Sequence, residues 1–262
     1  MSDIERRHSR WRGKQWSWFE AGAGPTLCLL HGGGGTGRAW THQMQYFKDQ
    51  YRVIAPDMPG FGQSEWVDGM ETADALGSVI LEWMGSIGVH HMILGGNSMG
   101  GRVALGAAMR DPGRIRALLL LDAVGVVLPD VPVVNPLALP RQQFMSGLVY
   151  DPDTYKRNTP YRSLEDAQEL NHGREIFAKY LDRAPIGPDP SWDLRRVNMP
   201  TLLLWGRDDR IIPLEYGRIM ETSLSDAELV VIDNCGHLPH IEEPQITNQT
   251  ITEFLSRRLR NR

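Results

Sequence analysis

The stretch Met92–Ala108 reads MILGGNSMGGRVALGAA, and its reading decides the fold. Four glycines, Gly95, Gly96, Gly100 and Gly101, surround one serine, Ser98, between an apolar run and a helix-forming run. Glycine inside regular structure costs stability, so a missing Cβ must answer a steric need here. Gly96-Asn97-Ser98-Met99-Gly100 fits the pattern G-x-S-x-G. In that pattern a sharp strand-to-helix turn holds the serine in strained backbone and exposes its hydroxyl. Gly96 and Gly100 are expected to pass so close to the serine that a Cβ would clash, and Gly95 and Gly101 to ease helix–strand packing. The plainer alternative is a glycine-rich turn with a capping serine; a strand before and a helix after favour the elbow.

Working outward, short runs apolar on both faces recur at Thr26–His31, Tyr51–Pro56, His91–Gly96, Ile115–Asp122, Thr201–Gly206 and Glu228–Asp233. Such runs suit central strands of a parallel sheet covered by helices. Helical patterns lie between them near Trp40–Asp49, Thr72–Ile87, Ser98–Arg110, Leu214–Leu224 and Ile241–Arg257. Strand and helix in alternation predict a mostly parallel, doubly wound α/β sheet. The opening RHSRWRGKQWSWFEAGAG alternates about a turn at Arg12–Lys14, as an antiparallel hairpin at a sheet edge would. From Val126 to Asp193 no sheet-like run appears, an interval too long for a plain loop. A helical cap over residues 126–193 is expected, inserted between core segments 1–125 and 194–262. Ligands in such sheets bind beyond the strand C-termini, which the cap would roof.

A serine hydroxyl needs a base to become a nucleophile. His237, in VIDNCGHLPHIEEP after the last strand, is the candidate, with Gly236 expected to let its loop approach the serine. His240 is the rival, and reads as a helix-start surface histidine. His90 and His91 read as solvated loop residues. The base needs a carboxylate to fix its tautomer. LLLWGRDDRIIP offers Asp208 and Asp209 at a strand end, and Asp122 after LLLLD is another position. A developing oxyanion needs two N–H donors: the Met99 backbone at the helix start, and one from the glycine loop HGGGGTGRAW, His31–Trp40. That loop lacks the G-x-x-x-x-G-K-[ST] of a phosphate loop, and His31 reads as its brace.

The chain has 262 residues, 41% of them hydrophobic, enough for one large core. Twenty-eight basic against 32 acidic residues give a net charge of −4, which speaks against nucleic acid or an anionic membrane as partner. No run approaches the roughly 20 apolar residues of a membrane helix, and the charged N-terminus lacks the apolar core of a secretory signal. A soluble cytoplasmic protein is expected. Cys28 and Cys235 suggest no disulfide framework. No metal-ligand spacing appears, and neither metal nor cofactor is expected.

The blocks LLHGGGGTGRAW, YRVIAPDMPGFGQS, GGNSMGG, LLLWGRDDRIIP and NCGHLPHIEEP resemble successive signatures of the α/β-hydrolase superfamily, over nearly the whole chain. The resemblance implies the fold of that family and a cofactor-free serine hydrolase with a Ser98–His237–Asp209 triad. It places the acid three residues after the strand-end Gly206, hence Asp209, and the second oxyanion donor two residues after the loop histidine, hence Gly33. GNSMGG and WGRDDR are similar to meta-cleavage-product hydrolases, which cut a C–C bond in vinylogous 1,5-diketones. Those enzymes commonly carry tryptophan after the catalytic histidine, where this chain has Leu238, and a cap arginine not assignable among Arg141, Arg157, Arg162 and Arg174. GHLPHIEEP looks more like esterases and lactonases. Dehalogenases and epoxide hydrolases carry aspartate where Ser98 stands, so those activities are disfavoured. The expectation is a carboxylesterase acting on small or medium acyl esters, with C–C hydrolysis of a diketone as the alternative. A binding protein on this fold is set aside because serine, histidine and acid are all present. Leu238, Phe144 and Met145 are expected to touch the small-molecule substrate, and Leu137, Leu139 and Leu148 could line the same pocket.

Overall fold

The structure, a computed structural model, describes residues 4–70, 72–183 and 193–259. Eight strands form one sheet: β1 (Glu5–Trp11), β2 (Lys14–Ala21), β3 (Thr26–Leu30), β4 (Arg52–Pro56), β5 (Met92–Asn97), β6 (Ile115–Leu121), β7 (Thr201–Gly206) and β8 (Ala227–Ile232). Their order is β1-β2-β4-β3-β5-β6-β7-β8. The pairs β1–β2 and β2–β4 are antiparallel, and every pair from β4 to β8 is parallel. The hairpin turns through Arg12 and Gly13, both at positive φ (48° and 76°), as the tight turn that matches strand twist requires.

Alternate residues of each central strand go to opposite faces. Cys28, Leu30, Leu94, Leu118, Leu120, Leu203 and Trp205 face one core, with α2 (Ala73–Ser86), α3 (Met99–Arg110) and α7 (Leu214–Ser223). Leu27, Leu29, Ile93, Leu119, Leu121, Leu202 and Leu204 face the other, with α1 (Thr41–Phe47) and α9 (Pro244–Leu259). Both-face burial is why these strands read as unbroken apolar runs. The run at Glu228–Asp233 departs from that reading. It forms the edge strand β8, in which Ile232 alone is fully buried.

Between β6 and β7 the chain forms α4 (Arg141–Leu148), α5 (Pro152–Asn158) and α6 (Leu164–Arg183). The last part of the expected cap interval, residues 184–192, lies outside the described residues, as does the side chain of Arg141. The helix expected from Ile241 to Arg257 is broken. A short α8 (Pro239–Glu242) ends at Glu243, where φ −127° and ψ 61° leave the helical region before Pro244 starts α9. Proline disfavours helical backbone in the residue before it and itself suits a helix's first turn. Among the described residues no helix is long and apolar enough to cross a membrane.

Candidate active site

β5 ends at Asn97 and α3 begins at Met99, with Ser98 between them at φ 55°, ψ −118°. A non-glycine residue holds such strain only when its surroundings over-determine it. Ser98 N–H donates to Leu121 O at 2.9 Å, and Arg102 N–H donates to Ser98 O at 3.0 Å. The glycines serve a different contact from the one expected. A Cβ on Gly96 would overlap the Gly100 backbone, and one on Gly100 would overlap the carbonyl of Leu30. The tightest crowding is between the two sides of the turn and with the end of β3. Gly101 does pack helix on strand end: its Cβ would stand 2.5 Å from that of Ala123.

Asp209 and His237 come together. His237 Nδ1 lies 2.8 Å from Asp209 Oδ2, with both side chains buried. Asp209 Oδ1 accepts the N–H groups of Ile211 (2.8 Å) and Ile212 (3.0 Å), so the carboxylate is fixed by donors on both oxygens. Asp208 is half-buried and its backbone N–H donates to Cys235 O. His237 N–H donates to Leu148 O at 2.8 Å, and its carbonyl accepts Asn97 Nδ2 at 3.0 Å. Gly236 makes room not for the serine but for this cap segment, because a Cβ there would stand 2.8 Å from both Leu148 O and Tyr150 N.

Glu242, unnoticed in the sequence, braces the same loop. The helix break at Glu243 leaves its buried carboxylate beside Gly236, Leu238 and Tyr150, whose N–H groups donate to it at 2.7–3.2 Å. Burial pushes its carboxyl up despite those donors. His240 is buried rather than at the surface, stacked 4.3 Å from Trp40. Burial brings its pKa down to about 3, too weak a base for serine.

Asp122 lies beside the pair as well, fully buried, with Oδ1 accepting Gly206 N–H at 3.0 Å. One side-chain atom each of Asp122, Asp209 and His237 converge within 4.8 Å. The donors already on Asp209 occupy lone pairs that a cation would need, so the cluster reads as a proton-handling group.

His31 Nε2 accepts Met58 N–H at 3.0 Å, which leaves the proton on Nδ1 to donate to Gly32 O at 2.8 Å. The histidine thereby braces the glycine loop. Gly33 and Met99 both line the cavity that contains Ser98 and His237. Met99 N–H, first in α3, has no intrahelical acceptor by position.

Leu238, Phe144 and Met145 line that cavity, together with Leu137 and Leu148; Leu139 instead packs into the core. Sequence reasoning missed the contribution of α6, whose Leu170, Arg174, Phe177 and Leu181 share one helical face toward the cavity. Their 4-3-4 spacing was the available signal. Arg102 and Arg174 also line the cavity, and no aspartate or glutamate does among the described residues. The Arg174 guanidinium lies 4.5 Å from the centroid of the Phe144 ring.

A mostly parallel sheet, a strained serine at a strand-to-helix elbow and a roofed cavity above it define the α/β hydrolases. The chain belongs to the alpha/beta hydrolase family, whose model matches residues 29–250, and is an enzyme of that class. It is 30% identical over 265 residues to a 2-hydroxy-6-oxo-6-phenylhexa-2,4-dienoate hydrolase of Comamonas testosteroni, covering 91% of this chain and 90% of the relative. The solved structure of an enzyme of that name from Rhodococcus sp. strain RHA1 superposes with a TM-score of 0.76, at 25% identity, covering 97% of this chain and 99% of that one. A thermophilic esterase from Thermogutta terrifontis superposes at 0.78, at 26% identity, covering 97% and 98%.

Proposed function

We propose that this enzyme hydrolyses a C–C bond in a carboxylate-bearing 2-hydroxy-6-oxo-dienoate, the alternative rather than the first expectation from sequence. One observation carries the reading: an apolar cavity over Ser98 that Arg102 and Arg174 line, with no carboxylate lining it among the described residues. An anionic, otherwise apolar substrate suits such a site, because a guanidinium pairs a carboxylate with parallel hydrogen bonds. The substrates in the names of the curated relatives are 2-hydroxy-6-oxo acids that carry a carboxylate, a dienoate in two and a dienedioate or trienedioate in the third.

In this reading the dienol first ketonises. Ser98 then attacks the C6 carbonyl as His237 takes its proton, and Asp209 holds the imidazole in the right tautomer. The N–H groups of Gly33 and Met99 receive the oxyanion. Collapse breaks the C5–C6 bond, His237 returns its proton to C5 as the dienoate fragment leaves, and water activated by His237 then releases the acid from Ser98. Arg174 takes the substrate carboxylate.

A carboxylesterase is the second reading, favoured by Leu238 where the C–C hydrolases commonly carry tryptophan and by the likeness to the thermophilic esterase. The two separate in one comparison of kcat/KM for 2-hydroxy-6-oxo-6-phenylhexa-2,4-dienoate and for p-nitrophenyl butyrate. The dienoate is expected to win by at least about a hundredfold, roughly 2.7 kcal/mol of transition-state binding. Arg174→Leu is expected to raise KM for the dienoate and leave the ester unchanged. Faster turnover of the ester would restore the esterase reading.

A further inference from the structure

Asp122 is a buried acid that the steps above do not use. It follows β6 directly, at a backbone φ of 46°, with no exposed surface. Its Oδ1 accepts Gly206 N–H at 3.0 Å, and its Oδ2 has no N–H or O–H donor among the described residues. Asp209 is already supplied, with two backbone N–H groups on Oδ1 and His237 on Oδ2. Two ionised carboxylates this close in a buried site repel, and a buried oxygen without a donor carries its full desolvation cost. A single proton on Asp122 Oδ2 removes both penalties, because it turns the orphaned acceptor into an O–H donor beside Asp209.

We propose that Asp122 is a neutral carboxylic acid that donates a hydrogen bond to Asp209, a positioning residue that fixes the triad acid and leaves it the one negative charge paired with His237. The proton belongs on Asp122 because three donors stabilise the Asp209 anion and one stabilises that of Asp122. Burial and the facing Asp209, with Glu242 beyond it, push the Asp122 carboxyl well above the usual range. Cys235 packs near both aspartates, and burial keeps its thiol protonated. The arrangement matters for the base. A second anion within 4.8 Å of the imidazole would compete with Asp209 for it, whereas a single facing anion fixes one tautomer.

The proposal rests on the Ser98–His237–Asp209 reading and is independent of whether the bond cut is C–C or ester. Asp122→Asn tests it, since the amide still donates to Asp209 and its oxygen still accepts Gly206 N–H. It is expected to keep kcat/KM within about threefold and the acidic limb of its pH profile within about 0.3 units. Asp122→Leu, which removes donor and acceptor, is expected to lose at least about tenfold. Infrared difference spectra of wild type minus Asp122→Asn at pH 8 should show the C=O stretch of a protonated carboxyl group.

Stability gives a third readout. An acid whose folded pKa is raised contributes its full stability below the unfolded value, about 4, and loses it as pH rises toward the folded one. The urea midpoint of Asp122→Asn at pH 8 should therefore equal or exceed that of the wild type. An absent infrared band, or an acidic limb moved down by about a unit in Asp122→Asn, overturns the proposal. Turnover that survives Ser98→Ala would instead overturn the triad reading, while the infrared band still reports on Asp122.

Discussion

Asp209 and Asp208 are adjacent in sequence and differ in every physical respect that matters to a base. Asp209 is buried, takes two backbone N–H groups on one oxygen and meets His237 on the other; Asp208 stands half in solvent. Asp209→Asn keeps the shape but presents the imidazole with an amide, which favours the wrong tautomer. Its kcat should fall by at least about a hundredfold, and that of Asp208→Asn should stay within a few-fold. Steady-state assays on either substrate class check this; equal losses would deny Asp209 its role. The sequence favoured Asp209 only through the spacing from Gly206 in a resembling family. Burial, which separates the two chemically, depends on where β7 and the His237 loop meet, and neither is local. Glu242 was invisible for the same reason: its three backbone donors come from the His237 loop and the cap.

The element that roofs the cavity, α6, is tied to the core at several points. Arg38 pairs with Asp166 at 2.8 Å, and Tyr161, just before the helix, accepts Thr36 N–H at 3.1 Å. Further along α6, the Phe177 ring lies where a Cβ on Gly33 would sit. Gly33 is outside the left-handed region, so an alanine there meets the ring and not backbone strain. Gly33→Ala should cost about a hundredfold or more in kcat, the scale of a misplaced oxyanion donor. Adding Phe177→Ala should restore at least about tenfold of it, since interacting pairs depart from additivity. A double variant no better than Gly33→Ala would place the damage in the glycine loop itself. The helical character of this interval was legible from its length without any sheet-like run. Its orientation was not, because the apolar side chains of α6 serve both the cavity and the core: Phe177 and Tyr180 line the cavity while packing with Ile176 on the core, and Tyr180 donates to Pro59 O at 2.9 Å.

Across the whole molecule, the sheet was legible because burial on both faces writes itself into contiguous apolar runs, and the elbow because it needs glycine on both sides of the serine. Long-range ties were not legible, since charged residues far apart in sequence carry no sign of their partners. Arg6 is the widest of these. It sits on the edge strand β1, donates to Asp57 after β4 at 3.0 Å and to Glu169 on α6 at 2.7 Å, and lies 4.7 Å from the centroid of the Phe19 ring. The N-terminal hairpin is thereby joined to both the core and the roof. Arg6 keeps 15% of its side chain exposed, Glu169 10% and Asp57 none, so the network is mostly desolvated; its loss takes the cation from both carboxylates and leaves Asp57 the N–H groups of Gly37 and Gln63. Arg6→Met preserves apolar contact with Phe19 and removes only the charge. It should cost about 2–4 kcal/mol, below the full cost of a broken buried pair because some solvent still reaches the guanidinium. KM should rise as α6 loses its anchor, while kcat of the folded enzyme stays within a few-fold, because the Ser98, His237 and Asp209 contacts lie elsewhere. Urea unfolding and steady-state kinetics on the same preparation test both parts. An unchanged urea midpoint would mean that the hairpin does not hold the roof, and a fallen kcat with unchanged KM would mean that Arg6 acts on the reacting groups instead.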